Sequence, residues 1–237
     1  MTPASPALHA EATDGKPPSA PGPGPTAAFA LHADSGAPSA WVQRWSHLVA
    51  PGGWVLDVAC GQGRHARWFH ARNHPLALVD RSRAAIESIA LPASACEAVV
   101  ADIENGPWPF AGREFAAVVV TNYLWRPLMP TLLASLAPGG VLMYETFAQG
   151  NETVGKPSRP DFLLRSGELL ALCQGLRIVA FEDGFEEAAP GRAARFVQRI
   201  AAVRQAVREP ARAPENPAAP ASAAEAVLAG PARHGLR

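Results

Sequence analysis

The sequence has few cysteines and no long apolar run, and each absence excludes a class of protein. Its three cysteines, Cys60, Cys96 and Cys173, are far apart and odd in number. This pattern excludes a disulfide framework and a zinc-binding cysteine cluster, and it favours a reducing, cytoplasmic location with no metal site. No stretch approaches the roughly 18 apolar residues of a membrane span. The first residues lack the basic start and apolar core of a secretory signal.

The sequence also lacks an excess of charge of either sign. Lysines and arginines number 21, as do aspartates and glutamates, and the pI is about 7.1. A strongly basic surface is the usual footprint of a protein that binds nucleic acid or anionic membranes. The balance of charge therefore argues against both kinds of partner.

The two ends differ in composition from the middle of the chain. Residues 1–38 are rich in Pro, Ala, Gly and Ser, and the run from Pro21 to Pro25 is incompatible with a helix or a central strand. We expect a disordered arm over 1–38 and a disordered Ala/Pro-rich tail over 209–237, with a short helix at 221–228. The remaining 39–208 is long enough for one domain with a full core, since 48% of the chain is apolar.

The stretch at 55–66, VLDVACGQGRHA, predicts a strand, a glycine turn and a helix start. Gly61 and Gly63 permit a sharp turn and close approach of a ligand to the backbone. The pattern also fits the dinucleotide-binding fingerprint. Asp57 lies inside the apolar run, where a carboxylate needs a partner; backbone N–H groups and a cationic ligand both remain open for that role. His65, at the helix start, is interpreted as a surface or capping residue.

These residues carry a family resemblance. LDVACGQG at 56–63 resembles motif I of the class I S-adenosylmethionine-dependent methyltransferases. The resemblance implies S-adenosyl-L-methionine as cofactor, with Asp57, Ala59, Gly61 and Gly63 around its methionine part. It extends at the expected spacings through most of 41–204.

Acidic residues follow the next two predicted strands. Asp80 ends an apolar strand 23 residues after Asp57, where a carboxylate can accept from both ribose hydroxyls; the alternative is a helix cap, a role open to Ser82 as well. Arg81 belongs to the same predicted contact set. The resemblance implies that Asp102 binds the adenine amino group and that Ile103 packs on the ring. The alternatives are a loop cap for Asp102 and ordinary core packing for Ile103.

The fourth strand is predicted to end at Thr121. The resemblance implies that Thr121, Asn122 and Tyr123 occupy the motif IV position, beside the transferred methyl. The segment is not the NPPY or DPPY of adenine and glutamine amine methyltransferases. Tyr123 is a candidate catalytic residue, or it roofs the cleft. Glu145, near the end of the fifth strand, is the other candidate, as a base or as an ion-pair partner of an arginine such as Arg126.

The fold implied is a doubly wound, Rossmann-like α/β sheet of seven strands, mostly parallel with the last strand antiparallel. The LAPGGVLMYE stretch is common in the family, with a turn at 137–140. Strands are expected at 54–59, 76–80, 98–101, 115–121, 141–147, 176–185 and 193–204. Helices are expected at 40–49 on the sheet edge, 64–73, 83–89, 128–136 and from 164.

The segment 147–164 is long, polar and interrupted by Gly and Pro, and we expect an ordered loop over the strand ends. With the following GEL, its YETF…GKP…FLL pattern resembles the tellurite-resistance-type, small-molecule branch of the family. Its cations Lys156, Arg159 and Arg165 either face an anionic substrate or form a solvated loop face.

The sequence therefore predicts an enzyme that transfers a methyl group to a small-molecule acceptor. Three alternatives remain open: an NAD-dependent enzyme with the same glycine turn, a cofactor-binding protein without catalysis, and a methyltransferase of nucleic acid or protein. The acceptor and the oligomeric state are not predicted.

Overall fold

The computed structural model describes residues 36–206, which lie within one compact unit. The predicted disordered arm falls almost wholly outside the described residues, and the predicted tail and its helix at 221–228 fall wholly outside them. The domain boundaries therefore stay predictions. The elements are α1 (Ala40–Trp45), β1 (Val55–Val58), α2 (Arg64–His70), β2 (Leu76–Asp80), α3 (Arg83–Glu87), β3 (Cys96–Val100), β4 (Phe115–Thr121), α4 (Met129–Ala134), β5 (Leu136–Phe147), α5 (Glu168–Leu172), β6 (Arg177–Glu186) and β7 (Arg195–Val203).

The seven strands form one sheet in the order β3-β2-β1-β4-β5-β7-β6. The five strands from β3 to β5 pair in parallel, while β7 runs antiparallel to both β5 and β6. The strand order reverses between β1 and β4, the point at which sheets of this kind bind ligands. The predicted fold class is confirmed.

Apolar clusters cover both faces of the sheet, as the continuous apolar runs of the parallel strands require. One cluster packs Leu56 and Val58 of β1 with α4 and α5 residues such as Met129 and Leu169. The other packs Val55 with aromatic residues of α1 and α2. Every residue of β1 is buried, so the carboxyl end of β1 emerges from the centre of the molecule.

The position of helix α1 differs from the predicted position at the sheet edge. Its tryptophans Trp41 and Trp45 are buried and belong to the core. The helix does not lie at the sheet edge, however, because Trp41 Nε1 donates to Ile200 O of β7, an interior strand. Helix α1 therefore covers the face of the sheet near β5 and β7.

The predicted turn at 137–140 is instead part of β5. Phe115 pairs with Leu136, and the register then shifts before Ala117 pairs with Val141. Gly139, at φ +81°, donates to Arg204 O, and Arg204 N donates to Gly140 O. Because Arg204, directly after β7, satisfies these backbone groups, the Pro-Gly-Gly stretch forms an irregularity within the sheet.

Helices α1 to α4 end before their predicted ends, and α4 and α5 also begin later than predicted. Chain segment 126–128 is a 3₁₀ turn before α4, and Leu136 already belongs to β5. Helix α5 begins at Glu168 instead of residue 164, because Leu164 N donates to Phe147 O and pairs in a bridge with Ala148. No helix among residues 36–206 has the length and apolar character needed to cross a membrane.

Candidate functional site

The carboxyl ends of β1, β2, β4 and β5, called here the carboxyl edge, bring together most of the predicted site residues. They comprise Asp57 and the glycine turn after β1, Asp80 at the end of β2, residues 121–123 after β4, and Glu145 in β5. Within residues 36–206, no group of three or more His, Cys, Asp or Glu side chains could hold a metal ion.

The glycine turn leaves open space above its backbone. Gly61 and Gly63 have left-handed φ values of +53° and +73°, and Gly63 N donates to Cys60 O at 3.0 Å. Ala59 is also left-handed, at φ +52°, an uncommon conformation for a residue with a Cβ. A Cβ at Gly61 would meet no atom within 4 Å, whereas one at Gly63 would lie 3.0 Å from Ile89. The space a ligand could enter is therefore beside Gly61.

We expect alanine at Gly61 to damage ligand binding and alanine at Gly63 to damage the fold. Each change forces a Cβ into a left-handed conformation, which costs about 1 kcal/mol, and the Gly63 change adds the contact with Ile89. Urea unfolding and binding of S-adenosylhomocysteine would separate the two effects. Gly52→Ala is the matched control, because Gly52 is left-handed with nothing within 4 Å. If Gly61→Ala binds no worse than Gly52→Ala, the space beside Gly61 is not the binding site.

The Asp80 carboxylate bridges two backbone segments at the carboxyl edge. Its Oδ2 accepts from Gly61 N at 2.9 Å, and its Oδ1 accepts from Ser82 N at 2.8 Å. The cap of α3 is Ser82, whose Oγ accepts from Ala85 N. Asp80 is therefore not the cap of this helix. It holds the glycine turn against β2, and its oxygens can still accept further hydrogen bonds from a ligand.

The Asp102 carboxylate caps its own loop. It accepts from the backbone N–H groups of Glu104 and Asn105 and from the Asn105 side chain at 2.9 Å. These bonds, the Asn105 side chain foremost, lower the pKa of Asp102. Ile103 is half-buried against the core. Asp102 thus acts as a loop cap and Ile103 packs against the core, and their roles at the adenine stay predictions. Arg81 is exposed beside this loop.

The segment after β4 holds polar atoms without partners. Asn122 has φ +54° and donates its N–H to Glu145 O at 2.9 Å. Its Oδ1 and the Tyr123 hydroxyl are buried with no hydrogen-bond partner among the described residues. Burial, and then the Glu104 carboxylate, raise the pKa of Tyr123, so this hydroxyl is a donor and not a base near neutral pH.

Arg64 is a site residue that the sequence reading did not select. Its Nη2 donates to Thr121 Oγ1 at 3.1 Å, joining the first residue of α2 to the end of β4. The signal was present, because Arg64 directly follows the second glycine of the turn. The bond places a guanidinium between the glycine turn and the motif IV segment.

Glu145 lies in an ion-pair cluster with the β6–β7 hairpin. Its side chain is 3% exposed, with Oε2 3.0 Å from Arg199 Nε and Oε1 3.3 Å from Arg195 Nη2. Both arginines also pair with Glu186. Of the two predicted roles of Glu145, ion pairing with arginines agrees with these contacts, whereas a catalytic base would need a carboxylate free of such partners.

The partner suggested for Glu145, Arg126, was wrong. Arg126 instead forms two hydrogen bonds to Glu168, at 2.6 and 2.9 Å, and donates to the carbonyls of Asp161 and Leu163. These contacts anchor the loop 147–164, which contains two short 3₁₀ turns. In that loop Arg159 pairs with Asp161 and lies over the Phe162 ring.

His65 is buried, so its interpretation as a surface or capping residue was wrong. It is 1% exposed, and the N-cap of α2 is Gly63. Ser39 N donates to His65 Nε2 at 3.2 Å, and Nδ1 lies 3.9 Å from Asp57 Oδ2. Burial, and then Arg64, lower the pKa of His65 to about 3. The ring is therefore neutral, and because Nε2 accepts, the ring proton is on Nδ1 and faces Asp57.

Comparisons with known proteins agree with this geometry. Residues 55–140, from β1 into β5, match the family model described as a methyltransferase domain. Over 107 residues the chain is 30% identical to the malonyl-[acyl-carrier protein] O-methyltransferase of Serratia marcescens. That alignment covers 43% of this chain and 41% of the relative, so the chain spans less than half the length of that curated protein.

Solved structures share the fold at low identity. TehB from Haemophilus influenzae superposes with a TM-score of 0.57 at 16% identity, over 70% of this chain and 61% of that one. An S-adenosylmethionine-dependent methyltransferase from Mesorhizobium loti gives a TM-score of 0.54 at 17% identity, over 68% and 97% of the two chains. The strand order and these neighbours show that residues 36–206 have the Rossmann-like fold of the class I S-adenosylmethionine-dependent methyltransferases, and residues 55–140 carry the match to the methyltransferase-domain model.

Proposed function

We propose that this protein binds S-adenosyl-L-methionine at the carboxyl edge and transfers its methyl group to a small-molecule acceptor. The observation that carries the proposal is the Asp80 carboxylate, held by Gly61 N and Ser82 N beside open space at the strand switch point. A carboxylate at the end of the second strand is the group that accepts from ribose hydroxyls in folds of this type.

The residues at the carboxyl edge suit each part of the cofactor. Asp57 and the glycine turn are assigned to the methionine part, with Ala59 and Gly63 shaping the turn. The guanidinium of Arg64 suits a carboxylate. Asp102 and Ile103 are assigned to the adenine ring, and the exposed Arg81 to the surface beside it. In the motif IV segment, the unpartnered Asn122 Oδ1 and Tyr123 hydroxyl are polar atoms available to a ligand.

When bound, S-adenosylmethionine supplies an electrophilic methyl group on a sulfonium sulfur. The protein's own contribution is to hold the acceptor in line, exclude water and orient the reactants. Because Glu145 is paired with Arg195 and Arg199, we propose that it organises the carboxyl edge and that the reaction does not use it as a base.

The name of the curated relative supports a small acceptor group. The Serratia marcescens protein is named for methylating malonyl-[acyl-carrier protein], in which the malonyl group is a small acyl acceptor. The neutral charge balance gives no support to a nucleic-acid acceptor. The acceptor classes to screen are chalcogen oxyanions, thiols and small metabolites.

Calorimetric titration with S-adenosylhomocysteine tests the cofactor assignment. We expect micromolar binding, weakened at least about tenfold by Asp80→Ala, because charge-assisted hydrogen bonds to the ribose are lost. Glu87→Ala is the matched control: it removes a carboxylate from neighbouring α3 whose side chain is 64% exposed. No binding by the intact protein would overturn the proposal, and NAD would then be titrated.

Release of S-adenosylhomocysteine in the presence of each acceptor class tests the second half of the proposal. Turnover with a small molecule is the expected result. Turnover confined to DNA, RNA or peptides would refute the small-molecule acceptor while leaving the cofactor assignment intact.

A further inference from the structure

Ser39, the last residue before α1, contacts three parts of the molecule. Its Oγ accepts from Trp41 N at 3.1 Å and so caps α1. The same Oγ donates to Glu145 Oε1 at 3.2 Å, and the Ser39 N–H donates to His65 Nε2 at 3.2 Å. Two of these contacts cross 26 and 106 residues of sequence. Ser39 therefore connects distant segments of the chain in addition to capping α1.

The two long-range contacts reach the two halves of the candidate site. His65 lies in the first turn of α2, directly behind the glycine turn, with Nδ1 facing Asp57 Oδ2. Glu145 O accepts the N–H of Asn122 at 2.9 Å. Ser39 is therefore hydrogen-bonded to His65, the neighbour of Asp57, and to Glu145, which holds the backbone of the motif IV segment.

The direction of the hydrogen bonds fixes the His65 ring. A backbone N–H can only donate, so the Ser39 contact requires Nε2 as an acceptor and leaves the proton on Nδ1. Loss of the Ser39 N–H therefore removes the hydrogen bond that selects this tautomer and orientation. The Asp57 carboxylate is 1% exposed, and its Oδ2 lies 3.9 Å from Nδ1, too far for a hydrogen bond. It would then lose the nearby positive end of the Nδ1–H dipole, which no solvent screens at this depth.

We propose that Ser39 and His65 are positioning residues: the Ser39 N–H fixes the His65 ring, and the Nδ1–H dipole of the ring favours the orientation of Asp57 toward the methionine end of the cofactor. This inference rests on the proposed function. It assigns a role in ligand binding to the segment that precedes α1, outside the matched methyltransferase segment 55–140.

A proline substitution isolates the N–H of Ser39. Ser39→Ala removes the hydroxyl and keeps the N–H, whereas Ser39→Pro removes both. The φ of Ser39 is −53°, within the range that the proline ring imposes, so the difference between the two variants reports the loss of the N–H together with the ring carbon that replaces its hydrogen. We expect the proline variant to bind S-adenosylhomocysteine about fivefold more weakly than the alanine variant, the effect of one partly buried hydrogen bond.

Ser39→Ala and Ser39→Pro are then compared in two further variants, in which His65 is also replaced. With His65→Leu, which removes the acceptor, the proline–alanine difference is expected to vanish. With His65→Gln, whose side-chain oxygen retains an acceptor, it is expected to persist, and this variant also serves if the leucine variant does not fold. Titrations are made well below the unfolding transition of each variant, so that a purely structural role leaves affinity unchanged.

The outcomes separate the two proposals. If the unmodified protein binds S-adenosylhomocysteine and the proline and alanine variants bind equally well, the positioning role is overturned and the proposed function stands. If the unmodified protein does not bind, the proposed function fails and the positioning role fails with it.

Discussion

Replacing Glu145 with alanine is expected to lower the free energy of unfolding by about 3–5 kcal/mol. The Glu145 side chain is 3% exposed, and those of its partners Arg195 and Arg199 are 14% and 10% exposed. Removal of the carboxylate leaves two buried guanidinium groups near one another with less compensating charge. Urea-induced unfolding, with the slope checked for constancy between variants, measures the loss.

Glu182→Ala is the matched control for this prediction. Glu182 pairs with the same Arg199, at 3.1 Å, but its side chain is 48% exposed, and exposed pairs contribute at most about 1 kcal/mol. A loss for Glu145→Ala as small as that for Glu182→Ala would show that the cluster does not stabilise the fold. It would also return Glu145 to consideration as a catalytic group.

The strands that position the site could be predicted because their signal is local. The runs at 76–80 and 115–121 became β2 and β4 with the predicted bounds. Buried parallel strands need uninterrupted apolar sequence, and each run ends at the residue where the chain meets the carboxyl edge. The positions of Asp80 and Thr121 followed directly from that.

The partners of the buried charges could not be predicted, because they depend on contacts between distant segments. Glu145 pairs with arginines 50 and 54 residues later, on a strand whose place in the sheet follows only from the tertiary fold. Nothing near Arg126 in sequence marks Glu168, 42 residues away, as its partner. The choice between base and ion pair for Glu145 needed this geometry.

The burial of His65 and the irregular start of β5 also depend on distant residues. His65 is covered partly by Ser39, 26 residues earlier, so a polar ring at a helix start resembles a surface residue in the sequence. The Pro-Gly-Gly stretch predicts a turn by local chemistry, and the backbone of Arg204 holds it in the sheet instead. In both cases a tertiary contact overrode the local preference.

Acidification from pH 6.5 to 5 is expected to remove about 2 kcal/mol of unfolding free energy through His65. Burial, and then Arg64, lower the pKa of His65 to about 3 in the folded protein, against about 6.5 in the unfolded chain. As the pH falls below about 6.5, the unfolded chain binds a proton that the folded protein does not bind. Each pH unit costs about 1.4 kcal/mol until the folded pKa is reached.

Carboxylates act in a lower pH range than His65. Although partial burial acts against it, hydrogen bonds from Arg126 lower the pKa of Glu168. In the same way, despite burial, bonds from Arg199 and Arg195 lower the pKa of Glu186. Groups of this kind contribute stability above their unfolded pKa of about 4.5 and lose it as the pH falls below that value. Measurements between pH 5 and 6.5 therefore report mainly the histidine.

Comparison with His65→Gln tests this assignment, because glutamine keeps an acceptor for the Ser39 N–H and does not titrate. The variant starts from a lower stability at pH 7, but its unfolding free energy is expected to stay nearly flat from pH 6.5 to 5 while that of the unmodified protein falls. Parallel curves for the two proteins would contradict the prediction. They would mean that the ring takes up a proton as readily in the folded protein as in the unfolded chain. A protonated ring carries a proton on both nitrogens and cannot accept the Ser39 N–H at Nε2, so the fixed tautomer on which the positioning of Asp57 depends would then have no basis.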